Sequence, residues 1–266
     1  MPAHRLLNRR VAIKEMGKAG LAIVVFGAVA CSDDTGTGST STTPASTLTS
    51  PPPTTTATTI EGTTTTVVLT GSAFQRVDLD FVSAYILYRA GEAALVDTGV
   101  DGSADAIEAG LTEAGLDWES VGHVILTHKH PDHVGSLGSV LERAPGAMVY
   151  AGAPDIPAIA SVVVPQPVGD GDTVFGLEMI ETPGHTAGHI AVLDSIAGVL
   201  VAGDALNGVG GGVDGPDPGF SENMTVAVDS VRKLAGLSFE VALFGHGEPL
   251  LEGASAAVAD LASGLG

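Results

Sequence analysis

The sequence predicts a mixed α/β (α+β) domain, built from layers of strands and helices, over residues 67–266. Apolar runs of strand length alternate there with segments whose apolar residues recur at helical spacing, which is typical of layered folds. Glycine is abundant, at 36 residues, and can supply the turns between elements. Because apolar residues make up 44% of the chain, a domain of this size can bury a core.

Five strands and two helices are predicted in the first part of this domain. The strands are expected at residues 67–70, 74–79, 84–89, 93–97 and 123–127. A helix follows Ser103, because Ile107 and Leu111 share one face and Gly115 is a stop signal. A second helix begins near Pro131, since proline is favoured at the first position of a helix.

The later part of the domain alternates in the same way. Strands are expected at residues 148–151, 173–181, 189–194, 198–202 and 241–244. A helix is expected over residues 222–235, with Val228, Val231 and Leu234 along one ridge. A last helix is expected over residues 254–262.

Residues 1–30 are predicted to be an export signal. Five of the 11 basic residues precede residue 19, and residues 19–30 are apolar and uncharged. This apolar run is shorter than the roughly 20 residues that cross a bilayer, but it suits a secretory signal. Asn8-Arg9-Arg10-Val11-Ala12-Ile13-Lys14 resembles a twin-arginine signal, and Ala28-Val29-Ala30-Cys31 resembles a lipobox that ends in a lipidated Cys31. An N-terminal membrane-anchor helix is the alternative.

Residues 31–66 are predicted to be a disordered tether. Residues 32–66 include 16 Thr, five Ser and four Pro, which leaves too little apolar surface to offset the entropy of ordering. A lipid on Cys31 followed by such a tether predicts an exported lipoprotein. We therefore expect the domain at the cell surface or on the periplasmic side, attached to the membrane through that lipid.

The charge of the chain excludes some functions. Its 31 acidic and 11 basic residues give a formal net charge of −20, and without residues 1–30 the remaining 30 acidic and six basic residues give −24. Nucleic-acid binding depends on Lys and Arg that neutralise phosphates, so no nucleic-acid partner is expected. The single cysteine excludes an intramolecular disulfide and a thiolate-rich zinc site.

Potential metal ligands are concentrated in residues 127–133. This segment contains His128-x-His130-x-Asp132-His133 directly after an apolar strand. Side chains two residues apart in an extended segment point the same way, so His128 and His130 can bind one cation. Asp132 and His133 come from the helical turn after Pro131 and can serve a neighbouring cation. Imidazole and carboxylate without thiolate favour Zn²⁺, with Fe²⁺ or Mn²⁺ as alternatives.

Three further ligands are predicted just past apolar strands. Each follows a glycine, which lets backbone come close. They are His185 after Gly184, Asp204 after Gly203, and His246 after Gly245. Two other histidines, His123 and His189, are interpreted as structural.

This ordered set of motifs, together with Val96-Asp97-Thr98-Gly99, resembles the metallo-β-lactamase superfamily across essentially all of residues 67–266. The resemblance implies a four-layer αββα sandwich with a dinuclear metal site at one rim. The implied ligands are His128, His130 and His185 for one metal, Asp132, His133 and His246 for the other, and a bridging Asp204. Asp97 would orient a ligand histidine, a common role for a carboxylate behind a metal-bound imidazole.

The resemblance implies hydrolysis of a small molecule. A hydroxide held by both metals would attack a carbonyl, and Asp132 would orient it and pass its proton to the leaving group. Glyoxalase II-like thioesterases and lactonases have the closest pattern, which implies an ester-like bond such as a thioester or lactone. True β-lactamases of this superfamily generally have cysteine or serine where Asp204 stands, which disfavours β-lactam hydrolysis and leaves it as an alternative. The others are an iron-dependent oxidoreductase of the persulfide dioxygenase type and a non-enzymatic zinc-binding lipoprotein.

Residues 207–223 are predicted to form a substrate loop over the metals. The segment is rich in glycine, begins at Asn207 and contains one aromatic residue, Phe220. Trp118 and Phe81 are interpreted as packing residues. The substrate and the oligomeric state stay open.

Overall fold

The computed structural model describes residues 73–159 and 163–265. The predicted export signal, the tether with Cys31 and the predicted strand at residues 67–70 lie outside the described residues. Within the described ranges, no helix has both the length and the apolar character needed to cross a bilayer.

The first half of the domain forms a six-stranded sheet with its strands in chain order. The strands are β1 (Ala73–Asp78), β2 (Ser83–Arg89), β3 (Glu92–Val96), β4 (Val121–Leu126), β5 (Met148–Gly152) and β6 (Gln166–Val168). The first three pair antiparallel, and β3 to β6 run parallel. Parallel neighbours need long crossover connections, which contain α1 (Ala104–Glu113), α2 (Pro131–Val134) and α3 (Leu137–Arg143).

The second half forms a five-stranded sheet and a separate hairpin. The remaining elements are β7 (Thr173–Val174), β8 (Leu177–Glu181), β9 (Ile190–Asp194), β10 (Val199–Gly203), β11 (Asn207–Val209), β12 (Gly212–Asp214), α4 (Met224–Ala235), β13 (Val241–Phe244) and α5 (Ala254–Gly264). The sheet order is β13-β10-β9-β8-β7, and only β10 and β13 pair parallel in it. The hairpin consists of β11 and β12.

The domain has four layers, two of helices and two of strands, and three clusters of buried side chains lie between them. Ile107 and Leu137, from α1 and α3, pack with Ile86 on the outer face of the first sheet. A middle layer joins the inner faces of the two sheets through residues such as Tyr85, Ile125, Met179 and Leu243. A third cluster packs Val231 and Val258, from α4 and α5, against Leu200 and Phe244 of the second sheet. The predicted αββα sandwich is therefore confirmed.

The period of two in the strands explains why residues 84–88, at the centre of β2, are apolar or aromatic at every position. Ile86 faces the helices, whereas its neighbours Tyr85 and Leu87 face the second sheet. A strand that is covered on both faces has no polar side.

The structure corrects the expected strand at residues 173–181. It is a hairpin of β7 and β8, because Phe175 and Gly176 adopt positive φ of 55° and 72° and turn the chain between Val174 and Leu177. Two such residues in succession are typical of two-residue hairpin turns.

Three other segments also differ from expectation. The helix at Pro131 ends after one turn, and α3 begins separately at Leu137. Strand β6 was not predicted; it contains Pro167 and lies at the edge of its sheet, where proline is tolerated. The expected loop at residues 207–223 contains the β11–β12 hairpin, which turns at Gly210 and Gly211 with φ of 60° and 83°.

Candidate metal centre

Strand ends from both sheets meet at one rim of the sandwich. Parallel β3 and β4 end at the same edge of the first sheet, and β8, β10 and β13 run in one direction in the second. The two edges are joined directly: Ile190 N donates to Thr127 O at 2.8 Å, and Ser83 N donates to Gly245 O at 2.8 Å. The residues that follow these strands therefore lie side by side.

The first group of potential ligands contains three histidines and an aspartate. One ligand atom from each of its members lies within 4.8 Å of the others; the members are His128, His130, His185 and Asp204. His130 Nδ1 is 3.0 Å from both His128 Nε2 and His185 Nε2. Asp204 Oδ2 is 3.3 Å from His185 Nε2. All four residues thus direct nitrogen or oxygen donors at one point.

The second group is adjacent and contains Asp132, His133 and His246. Asp132 and His133 come from the single turn of α2, and His246 follows β13. His246 Nε2 lies 3.4 Å from Asp132 Oδ2 and 3.2 Å from Asp204 Oδ2. Asp204 Oδ1 lies 3.3 Å from His133 Nε2. Asp204 therefore faces both groups, which are the two ligand sets that the resemblance implies; their binding of metal stays a prediction.

Asp97 lies behind this second group. Its Oδ2 accepts hydrogen bonds from His133 Nδ1 at 2.8 Å and Thr127 Oγ1 at 2.7 Å, and its Oδ1 accepts one from Thr127 N. The residue is 2% exposed and has a positive φ of 62°. With Nδ1 held in this way, His133 directs Nε2 at Asp204. The contact by which Asp97 was expected to orient a ligand histidine is therefore present, and that histidine is His133.

Glycine is required at Gly245 for the two groups to come together. A Cβ there would overlap Asp204 Oδ1 and would lie 2.7 Å from His133 Cε1. Gly184, with φ of 125°, packs equally closely, since a Cβ there would overlap the backbone of Ala227 in α4. These two glycines allow His185 and His246 to approach the rim.

Burial and charge divide the histidines into two kinds. Burial lowers the pKa of His128 well below its usual value and that of His185 to about 4, so both imidazoles are neutral and have lone pairs available. Burial also opposes a charge on His133, but Asp204 and Asp97 outweigh it and raise that pKa well above the usual value. Hydrogen bonding to Asp132 and Asp204 raises the pKa of His246 to about 10.

The carboxylates of the site stay ionised. Burial alone would raise the pKa of Asp204, yet the nearby charge of His133 and the contact with His246 hold it well below the usual value. The hydrogen bond from His246 likewise lowers the pKa of Asp132.

Two buried polar atoms test whether this site fits a metal ion. His133 Nε2 and Asp204 Oδ1 have no hydrogen-bond partner, although they face each other at 3.3 Å. Buried polar atoms without partners are rare, because each costs the free energy of its desolvation. A divalent cation between such donors would satisfy both atoms, and imidazole with carboxylate is a donor set that Zn²⁺, Fe²⁺ and Mn²⁺ accept. The residues therefore fit a divalent metal.

Sequence reasoning missed two residues that hold the ligands in place. Asp155 is fully buried; its Oδ2 accepts from Lys129 N and Thr186 Oγ1, and its Oδ1 accepts from Gly188 N. It thereby joins the loop of His128 and His130 to that of His185. No motif marks Asp155, because its partners are distant in sequence.

His189, which was interpreted as structural, contacts a ligand. Its Nε2 accepts a hydrogen bond from Asp204 N at 3.0 Å, so Nδ1 carries the proton and donates to Thr182 Oγ1 at 2.7 Å. Burial lowers the pKa of His189 to about 3, which keeps this acceptor available. Its position four residues after His185 was the only signal in the sequence.

A cavity of about 770 Å³ opens over the two groups. Asn207 and Phe220 of the predicted substrate loop both line it, as do His130, Asp132 and Asp204. Phe81, which was expected to pack in the core or on the surface rather than at the site, also lines the cavity and is 57% exposed. Its backbone oxygen accepts a hydrogen bond from His246 Nδ1, and its ring stacks on that imidazole. Trp118 packs at the core of the first sheet, as expected.

Comparisons with known proteins agree with this geometry. The sequence pattern of the family described as the metallo-beta-lactamase superfamily matches residues 77–246. YobT of Bacillus subtilis is 30% identical over 63% of this chain and 83% of its own length. A hydroxyacylglutathione hydrolase of Synechococcus is 35% identical over 53% of this chain, and the alignment spans 54% of that hydrolase, about half its length.

A solved structure shows the same fold. The metallo-beta-lactamase family protein TTHA1429 of Thermus thermophilus is 28% identical and covers 73% of this chain and 78% of its own, with a TM-score of 0.57. The matched residues 77–246 contain all seven predicted ligands. By sequence pattern, relatives and fold, the chain belongs to the metallo-beta-lactamase superfamily.

Proposed function

We propose that this protein is a hydrolase that holds two divalent metal ions and cleaves an ester-like bond of a small molecule, such as a thioester or a lactone. The observation that carries the proposal is the position of Asp204, which faces both ligand groups at the base of an open cavity. A shared carboxylate between two sets of imidazoles is suited to a pair of cations. Zn²⁺ is the metal that this donor set favours.

The residues around the cavity have distinct tasks in such a reaction. Divalent ions in the site would lower the pKa of a coordinated water and polarise a carbonyl oxygen. Asp132 is ionised and 25% exposed at the cavity, so one of its carboxylate oxygens can accept a proton there and return it to a leaving group. Phe81 and Phe220 line the cavity with exposed rings, which can shield a bound substrate from water.

Hydrolysis by a protein nucleophile is a poorer explanation of this cavity. Among the described residues that line it there is no serine, cysteine or lysine, so a covalent mechanism that uses one of these three nucleophiles has no residue to use there. The name of the Synechococcus relative also supports hydrolysis.

The alternatives predict different results in one experiment. Metal content is measured on purified protein, which is then given thioesters, lactones, β-lactams and persulfides. For wild type we expect two divalent ions per chain and turnover of an ester-like bond. In His130→Ala we expect the metal content and the turnover both to fall. His123→Ala is the matched control, because His123 lies on β4 outside both ligand groups. One iron per chain with oxygen uptake, or equal turnover by wild type and His130→Ala, would contradict the proposal.

We also propose that the domain acts outside the cytoplasm, on a lipid anchor at Cys31. The twin-arginine-like and lipobox-like motifs of residues 8–31 and the Thr-rich segment after them support this location. A twin-arginine route exports folded proteins, so the metals could be bound before export.

A further inference from the structure

The charged residues that line the cavity are all acidic or are candidate metal ligands. Besides the candidate ligands, the lining contains two aspartates, Asp101 and Asp217, which are both exposed. No lysine or arginine is among the described residues of the lining. Asp101 follows β3 on the first sheet, and Asp217 belongs to the segment after β12, so acidic residues enter the cavity from both halves of the domain.

The cations of the described residues are engaged elsewhere. Residues 73–265 contain six lysines and arginines, and each forms an ion pair with a carboxylate of the domain. The pairs are Arg76–Glu248, Arg89–Asp194, Lys129–Glu222, Arg143–Asp105, Arg232–Asp229 and Lys233–Asp170. Apart from the ligand histidines and the metal ions that they would bind, an anionic substrate therefore finds no cation among the described residues of the cavity lining.

Apolar groups form the rest of the lining. The rings of Phe81 and Phe220 are 57% and 72% exposed, and Val100 and Pro131 also line the cavity. Exposed rings at a cavity rim contribute binding free energy when an apolar group covers them. Away from the ligand groups, the lining thus offers contacts to an apolar chain and repulsion to a negative charge.

We propose that the site selects uncharged or cationic esters with an apolar acyl chain, and that Asp101 and Asp217 exclude anionic substrates. This inference rests on the proposed hydrolase function and names its substrate class. The anionic class includes glutathione thioesters, whose thiol portion has two carboxylates and one ammonium group.

The expected size of the effect follows from Coulomb's law. A charge about 7 Å from an exposed carboxylate, in a largely aqueous dielectric, is disfavoured by a factor of about three to five. Two such carboxylates together disfavour an anionic substrate about tenfold or more. Salt at about 1 M shortens the screening length to about 3 Å and should remove most of the difference.

Three esters of hexanoic acid test the selection. Their alcohols are propanediol, hydroxypropanesulfonate and hydroxypropyl-trimethylammonium, which differ in charge but present the same carbonyl; sulfonate is chosen because it binds metals weakly. We expect kcat/KM for the neutral and cationic esters to exceed that for the sulfonate at least about tenfold at low salt. The ratio of kcat/KM for the neutral or cationic ester to kcat/KM for the sulfonate ester should decrease in Asp101→Asn, Asp217→Asn and their double variant. Asp260→Asn, the same change on exposed α5, is the matched control and should leave the ratio unchanged.

Binding of the corresponding hexyl ethers, which cannot be hydrolysed, separates this inference from the proposed function. The dissociation constants of the three ethers are measured on the metal-loaded full chain. Weaker binding of the sulfonate ether than of the other two ethers, with a smaller difference in the double variant, supports the inference. Absence of ester cleavage alongside this result would refute only the proposed hydrolysis. Equal binding and equal kcat/KM of the three head groups, or a ratio that the double variant leaves unchanged, would overturn it.

Discussion

His133 Nδ1 donates a hydrogen bond to Asp97 Oδ2 at 2.8 Å, and the opposite nitrogen of the same ring faces Asp204 Oδ1 at 3.3 Å. This contact fixes which nitrogen is available to a metal ion. Because Asp97 also accepts from Thr127 N and Oγ1, it ties the end of β4 to the second ligand group.

Replacing Asp97 with asparagine should weaken metal binding about tenfold to a hundredfold. Asparagine tolerates the positive φ at this position, but it has only one acceptor oxygen for three donors. Competition with a chelator measures the affinity. Asp80→Asn is the matched control, since Asp80 also has positive φ, at 77°, and is exposed. Equal affinities in the two variants would show that Asp97 does not orient His133.

Replacing Asp155 with asparagine should lower the free energy of unfolding by about 1–3 kcal/mol, because its amide cannot accept all the bonds that the buried carboxylate accepts. Urea denaturation of the two proteins measures the change. In Asp172→Asn, which alters an exposed carboxylate that accepts from Gly169 N, the loss should stay below about 0.5 kcal/mol. A loss of the same size in both variants would contradict the joining role of Asp155.

Replacing Gly245 with alanine should separate the two ligand groups while the fold persists. The new methyl would overlap Asp204 Oδ1, so that carboxylate or His133 must move. Metal stoichiometry, measured by mass spectrometry of the native protein, should fall below that of wild type. Gly122→Ala on β4 introduces the same methyl with no neighbour within 4 Å and should retain wild-type stoichiometry. Full metal content in Gly245→Ala would show that the close approach is dispensable.

Removal of metal should make stability depend on pH through His246. Its pKa is raised from 6.5 unfolded to about 10 folded, mainly by hydrogen bonding to Asp132 and then Asp204. The stabilisation from this proton is therefore complete below pH 6.5 and is lost as pH rises through about 10. Urea denaturation of chelator-treated protein should show this decline. The decline due to His246 should be absent from metal-loaded wild-type protein and from metal-free His246→Asn. The same decline in these two samples and in metal-free wild type would refute the assignment of the pH dependence to His246.

Replacing Cys31 with alanine should release the protein from the membrane. The predicted lipobox requires this thiol as the attachment point of the lipid. Cell fractionation and labelling with radioactive palmitate distinguish the variant from wild type in a bacterial host. Membrane retention of an unlabelled variant would favour the alternative of an N-terminal anchor helix.

The sequence by itself was sufficient for the features that are encoded locally. Apolar runs predicted most strands, because a strand buried on both faces needs no distant partner to be recognised. The segment His128-x-His130-x-Asp132-His133 predicted a metal site, because neighbouring positions on one strand end and one helical turn must lie close in any fold. The glycines before His185, Asp204 and His246 were informative for the same reason.

Only the tertiary structure decided which distant residues support and surround that site. Asp155 joins two ligand loops through backbone groups that any residue has, and His189 contacts Asp204 only because β9 pairs with β10. Phe81 reaches the cavity because Ser83 bonds to Gly245 across the two sheets. Short spacings constrain geometry through covalent bonds, whereas these contacts depend on which strand edges the burial of apolar faces brings together.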